Sequence, residues 1–249
     1  MRSKYRFSMT EDEPFEFISA PAGGGGLILL CDHASRRVPQ EFGDLGLEAG
    51  LFATHIASDI GAAEVTRALA EHFDAPAVLA RWSRLVIDLN RGEDDPTLVM
   101  KLSDGSIVPG NVDADVASRI ARFHRPYHRR ISEEILRHAA PVLISVHSFT
   151  PAWKGCARPW DLGILWDRDG RLAVPLMARL REAGFTVGDN EPYSGALEND
   201  CLYRHGTMNA LPHVLIEIRQ DLICNDGAVR SFAALLAPIL ETALKDMQR

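Results

Sequence analysis

The sequence predicts an α/β protein with a largely parallel central sheet covered by helices on both faces. Three observations carry this. Short apolar runs rich in Val, Ile and Leu read as buried strands: Leu27-Ile28-Leu29-Leu30-Cys31, Val142-Leu143-Ile144-Ser145-Val146, and Val214-Leu215-Ile216-Glu217-Ile218. Segments with helical spacing alternate with them. Each run also delivers a metal- or proton-competent residue at or near its end, namely His33, His147 and Glu217. Ligands of open α/β sheets bind beyond the carboxyl ends of such strands.

The elements follow in order. Residues 1–25 read as a peripheral N-terminal extension, mixed in charge, broken by Pro14 and without the apolar core of a signal peptide. Gly23–Gly26 precede a strand. A phosphate loop requires strand, then glycines, then helix, so these glycines read as a plain loop. Asp59–Phe73 has helical spacing through Ile60, Ala63, Val65 and Leu69. Short strands are expected at Ala77–Ala80 and Leu85–Leu89, then a loop from Gly92 to Gly110. A long helix opens at an Asp113 cap, with Val116, Ile120, Phe123, Tyr127, Ile131 and Ile135 on one stripe, kinked or split in two at Pro126. After the His147 strand come a loop (Ser148–Trp160), a strand (Leu162–Trp166), a helix (Leu172–Ala183) closed by Gly184, and a strand at Thr186-Val187. The Glu217 strand and a final helix, Ala228–Lys245, complete the chain. No repeat or linker interrupts it, so 1–249 reads as one catalytic domain.

The 249 residues are 46% hydrophobic, enough for a full core. A net charge of −7 excludes a general nucleic-acid binder, which needs a basic face. It does not exclude a small anionic substrate, because a local cation cluster overrides the global sign. No apolar run approaches membrane-spanning length. Cys31, Cys156, Cys201 and Cys224 form no Cys-x-x-Cys pair, which fits a reduced, cytoplasmic chain rather than a disulfide framework. A homo-oligomer is compatible with this composition.

His33 and His147 stand in the same relation to their strands, and imidazole is a usual zinc ligand. A catalytic zinc commonly has three protein ligands and an open position. Asp59 is the candidate third ligand, with helix N-capping as its alternative role. Asp32 is the weaker choice, because alternation turns it away from His33. Glu217 lies inside an apolar strand, where a charge needs a partner. Arg219 would supply a structural partner; general-base work toward an activated water is the functional reading. The segment Arg81–Arg91 alternates, with Arg84, Val86, Asp88 and Asn90 sharing one face. It reads either as an internal Arg84–Asp88 pair or as a carboxylate receptor built on Arg84 and Asn90, with Arg81 or Arg91 as a second cation. Phe123–Arg130 reads as a basic helix face or a wall of the site, and Tyr203–Gly206 as a site loop or a turn. No Gly-x-Ser-x-Gly elbow supports a serine hydrolase.

Together these segments resemble the N-formylglutamate amidohydrolase family. The stretches that carry the resemblance are Cys31-Asp32-His33-Ala34-Ser35, Ser58-Asp59-Ile60-Gly61-Ala62, Ser83–Arg91, Phe123–His128, Ser145-Val146-His147-Ser148-Phe149, Asn190–Gly195 and Leu215-Ile216-Glu217-Ile218-Arg219. The resemblance implies a three-layer α/β/α sandwich with a mixed, largely parallel sheet, similar to zinc carboxypeptidases. It implies one Zn2+ ion held by His33, His147 and an intervening carboxylate, Glu217 as the catalytic carboxylate, and arginines around Arg84 and Arg91 as substrate anchors. Zinc carboxypeptidases use His-x-x-Glu, whereas the fourth position here is Arg36, so the carboxylate must come from elsewhere. Asp-His-Ala-Ser in the first motif looks like a divergent branch. The expected activity is hydrolysis of an N-acyl amino acid, first N-formyl-L-glutamate. The rival is a metal-free small-anion binding or regulatory protein of the same fold.

Overall fold

The structure, a computed structural model, describes residues 7–8, 13–20 and 24–248. One mixed sheet organises it. Its strands are β1 (Phe7–Ser8), β2 (Phe15–Ile18), β3 (Leu27–Cys31), β4 (Ala77–Ala80), β7 (Val142–Phe149), β10 (Leu162–Leu165), β11 (Val187–Asp189) and β12 (His213–Arg219). Two small hairpins stand apart, β5 (Leu102–Ser103) with β6 (Ser106–Ile107), and β8 (Ala152–Trp153) with β9 (Cys156–Ala157). The sheet order is β1-β2-β4-β3-β7-β12-β10-β11. The central run β4-β3-β7-β12 is parallel, while β2 and β10 join it antiparallel.

Alternation along these strands divides the core in two. Leu27, Leu29, Ile144, Val146, Val214 and Ile216 face one side. There they meet α1 (Ala62–Phe73), α4 (Gly170–Glu182) and α6 (Asp226–Met247). Ile28, Leu30, Leu143 and Leu215 face the other side. That side is covered by α2 (Val116–Arg119), α3 (Arg125–Ile135), α5 (Cys201–His205) and irregular segments. The three-layer expectation therefore holds. Leu29 is fully buried under α1, so Leu29→Ala should cost about 2–5 kcal/mol, read as a lowered urea midpoint at unchanged m-value.

By length and composition α6 could cross a membrane. In the fold its Val229, Phe232, Leu236 and Leu240 are buried in the first core with α1 and α4, which accounts for its apolar character.

Four local expectations change. Leu85–Leu89 is not a strand. Leu85, Val86 and Ile87 are all buried, without a solvent face; Val86 N–H donates to the Ser83 carbonyl and Asp88 N–H to that of Leu98, and two of the segment's carbonyls accept from side chains. Arg119 donates to the Val86 carbonyl (2.7 Å) and Asn111 to that of Leu85 (2.8 Å). A buried loop satisfied in this way has the same hydrophobicity as a strand. The long helix begins at an Asp115 cap, which accepts from Ser118 N, rather than at Asp113. Around Pro126 the segment divides, as one of the two expectations had it, with α3 opening at Arg125 and the proline in its first turn. A π-helical stretch, Ile120–His124, precedes the proline and widens the turn where its missing N–H would matter. Phe15–Ile18, inside the expected peripheral extension, pairs with β4, and Phe15 and Ile18 are buried. Finally α5, read from sequence as loop or turn, is a short helix whose Asp200 cap accepts from Tyr203 N at 2.7 Å.

Candidate metal centre and active-site cavity

Because β3, β7 and β12 are adjacent, their carboxyl ends lie side by side. Glu217 pairs directly with His147 in register, and both alternate onto the second face with Ser145 and Leu215. His33 sits just beyond β3. The two imidazoles meet edge to face, with ring centroids 4.7 Å apart.

Asp59 reaches them from the loop before α1. The cap residue of that helix is Gly61, at φ 78°, not Asp59. A Cβ on Gly61 would fall 2.3 Å from the Ile223 carbonyl oxygen, so glycine is required by both conformation and space. This turn leaves the Asp59 carboxylate free of the helix and aimed at the sheet edge. Its Oδ2 accepts from the Ser148 backbone N–H (3.2 Å), and lies 2.9 Å from His147 Nδ1 and 3.4 Å from His33 Nδ1. One donor atom each from His33, Asp59 and His147 falls within 4.8 Å of the others, and all three residues are buried.

The far edge of each imidazole is held by another buried carboxylate. His33 Nε2 lies 2.7 Å from Asp88 Oδ1, and His147 Nε2 lies 3.1 Å from Asp32 Oδ2. Asp32 is fixed in turn by hydroxyls donated from Tyr127 (2.9 Å) and Ser145 (3.0 Å). Carboxylates behind metal-binding histidines orient the rings and raise their basicity. Sequence reasoning assigned neither role. It set Asp32 aside because alternation would turn it away from His33; the structure places its carboxylate against His147. The sequence signal was its position just past a buried strand, beside a histidine. It also paired Asp88 with Arg84, and that bond exists at 2.8 Å, but Asp88 serves His33 as well.

The electrostatics suit a cation. Burial opposes ionisation of Asp59, yet His33 and His147 hold it well below the usual carboxylate range. Burial likewise opposes charge on His147, but its bonds to Asp32 and Asp59 raise its pKa well above the ordinary histidine value. Three buried carboxylates thus surround two imidazoles. This donor set, with a cavity on one side, fits a three-ligand zinc centre.

Glu217 behaves differently. Its expected structural partner, Arg219, instead bonds Asp221 (2.8 Å) and the Trp160 carbonyl (3.1 Å). Glu217 Oε2 is buried without a hydrogen-bond partner. Burial pushes its pKa up to about 7 against the pull of His147, and Asp59 adds to the rise. A carboxylate poised near neutrality in a cleft is suited to proton transfer.

These groups line a cavity of ≈ 230 Å³, together with Arg84, Asn90, Arg91, Tyr193, Asp200 and Tyr203. Arg84 holds Asp88 and lies 3.5 Å from Asp59 Oδ1, while its Nε is buried without a partner. Arg91 donates to the Asn90 carbonyl (2.8 Å), and the Asn90 side chain accepts from Cys201 N (3.1 Å). Arg81 is the exception. It does not line this cavity; it is buried, and its backbone N–H bonds the Pro14 carbonyl (3.1 Å), beside β2. The expected two-residue alternation fails after Arg81 because the following segment turns instead of running extended.

Among solved structures, a gene product from Agrobacterium tumefaciens is 35% identical over 98% of this chain and all of that one, with a TM-score of 0.91. An N-formylglutamate amidohydrolase from Ralstonia eutropha JMP134 is 23% identical over 93% of this chain and 98% of its own, at TM-score 0.66. A bacteriophage poly-gamma-glutamate hydrolase is 13% identical over 95% and 91%, at 0.50. The latter two bear on the fold alone. No curated protein matches the chain. The sequence profile of N-formylglutamate amidohydrolase matches residues 25–224. That span runs from the glycine turn before β3 to the end of the loop after β12, taking in every strand end that opens on the cavity, and the chain therefore belongs to the N-formylglutamate amidohydrolase family.

Proposed function

We propose that this protein hydrolyses the amide bond of an N-acyl amino acid, N-formyl-L-glutamate first, to formate and L-glutamate, with one Zn2+ ion held by His33, Asp59 and His147. The observation that carries this reading is the convergence of those three donors beside an unpartnered, buried Glu217. When bound, zinc supplies Lewis-acid polarisation of a carbonyl and lowers the pKa of water from about 15.7 toward 7.

Glu217 accepts a proton from the attacking water at Oε2. The water oxygen bonds to the formyl carbon, the C–N bond breaks, and Glu217 returns the proton to the departing nitrogen. Asp32 and Asp88 keep the two imidazoles in one orientation throughout. Arg84 and Arg91, with Asn90 between, receive the substrate carboxylates and hold the amide against the strand ends. The narrow cavity suits a small dicarboxylate. Family membership supports amide hydrolysis on a glutamate derivative.

The direct test is formate release from N-formyl-L-glutamate by zinc-loaded protein, beside N-acetyl and N-succinyl analogues. No turnover of any of them would favour the metal-free anion-binding alternative. Arg84→Lys keeps the charge and loses the planar fork. KM should rise more than kcat falls, and the preference for N-formylglutamate over N-formylglutamine should shrink. An unchanged preference would leave Arg84 as the partner of Asp88 alone.

A further inference from the structure

Two polar clusters left without a role by the amidohydrolase reading, Phe123–Arg130 and Tyr203–Gly206, meet in the interior. His128 of α3 points its Nδ1 at His205 Nε2 of α5, 2.9 Å away. Cys201 and His205 stand four residues apart on α5, on one face of a single helical turn. One donor atom from each of His128, Cys201 and His205 lies within 4.8 Å of the others. Their exposures are 4%, 0% and 3%.

The cluster is braced from outside. His128 Nε2 contacts His124 Nε2 (3.1 Å), which also reaches the Arg91 carbonyl (2.9 Å). The first turn of α5 is held by its Asp200 cap and by Cys201 N donating to Asn90 Oδ1 (3.1 Å). The Asn209 side chain donates to the His205 carbonyl (3.0 Å). Burial keeps His128 well below the ordinary histidine pKa and brings His205 to about 4. Both rings are thus neutral, the form that binds metals. On the far side of the cluster, His124 Nδ1 is buried with no hydrogen-bond partner.

We propose that His128, His205 and Cys201 form a second metal site, taking a thiophilic divalent cation of the zinc class and serving structure. A sulfur and two imidazoles form a borderline-soft donor set that selects such an ion over magnesium or calcium. Binding forms a metal–thiolate bond and releases the Cys201 thiol proton to solvent. Burial and the neighbouring Asp32 carboxylate hold the Cys201 thiol well above its ordinary pKa, so the thiol keeps its proton until a bound dication offsets both effects. The bound ion would tie α5 to α3. Because α5 carries Tyr203 and follows Asp200, both in the cavity wall, it would fix that wall. This site shares no ligand with the His33–Asp59–His147 centre, which contains no sulfur.

Cobalt distinguishes the two, since only a sulfur ligand produces thiolate-to-cobalt charge transfer in the near ultraviolet. The chelator-stripped full chain, with exposed Cys156 and Cys224 changed to serine, is titrated with Co2+. Two equivalents should bind, and one should bring the charge-transfer band. Adding Cys201→Ser should remove the band and one equivalent. His33→Ala should instead keep the band while losing the other equivalent. A protein that saturates without the band, or a band that survives Cys201→Ser, overturns the proposal and leaves a hydrogen-bonded histidine chain only. The first measurement needs no variant of the cluster itself, so misfolding of Cys201→Ser cannot shield the proposal. Failure of the His33 centre would appear separately, as loss of the sulfur-free equivalent.

Discussion

Glu217→Gln should leave zinc bound and lower kcat by at least about 10²-fold, the scale of a lost general base. The substitution keeps shape and removes the proton-accepting oxygen. Among the described residues Glu217 has no ion-pair partner to abandon, and Arg219 is engaged by Asp221 and Asp161, so a folding defect is not the expected cause. Metal content by elemental analysis and steady-state kinetics on N-formyl-L-glutamate check both halves. The wild-type pH profile adds a sign. Only ionised Glu217 accepts the proton, so kcat/KM should fall as pH drops through its pKa. Burial sets that pKa at about 7, and a bound cation favours the carboxylate and moves the acidic limb lower. A near-normal kcat in the variant would reassign Glu217 to packing.

His147→Ala should abolish stoichiometric zinc and turnover together. It should also destabilise the fold more than His33→Ala does. Removing His147 takes its hydrogen-bonded imidazole from the Asp32 carboxylate, which keeps the hydroxyl donors of Tyr127 and Ser145 and the Cys201 thiol, none of them charged. Removing His33 leaves Asp88 still bonded to Arg84. Breaking a buried pair costs about 3–5 kcal/mol, so urea midpoints of the metal-free variants should rank wild type, His33→Ala, His147→Ala. Full zinc retention in either variant would remove that histidine from the metal centre.

Much of the architecture was legible in apolar runs because a buried strand has little choice of composition. β3, β7 and β12 lie where Val, Ile and Leu cluster, and α1, α4 and α6 where the spacing is helical. The failures share a cause. Leu85–Leu89 is as apolar as a strand, but Asn111 and Arg119, from segments far along the chain, take its Leu85 and Val86 carbonyls. The π-helical stretch before Pro126 and the five-residue α5 lie below the length at which periodicity speaks. Phe15–Ile18 lay in a segment whose overall charge pattern read as an extension.

The same division runs through the candidate site. Residue type and strand position alone singled out His33, His147 and Glu217, since a polar residue at the end of a buried strand needs a purpose. They also made Asp59 a contender. Adjacency of β3, β7 and β12, the Gly61 turn that frees Asp59 from capping, and the Asp32 and Asp88 carboxylates behind the imidazoles were decided only in three dimensions. So were the withdrawal of Arg81 from the cavity and the meeting of His128 with Cys201 and His205. The physical reason is range. Hydrophobic periodicity is written locally, over a few residues, whereas a hydrogen bond between residues 32 and 147 depends on which strands pair, and sheet order is not encoded in any one strand.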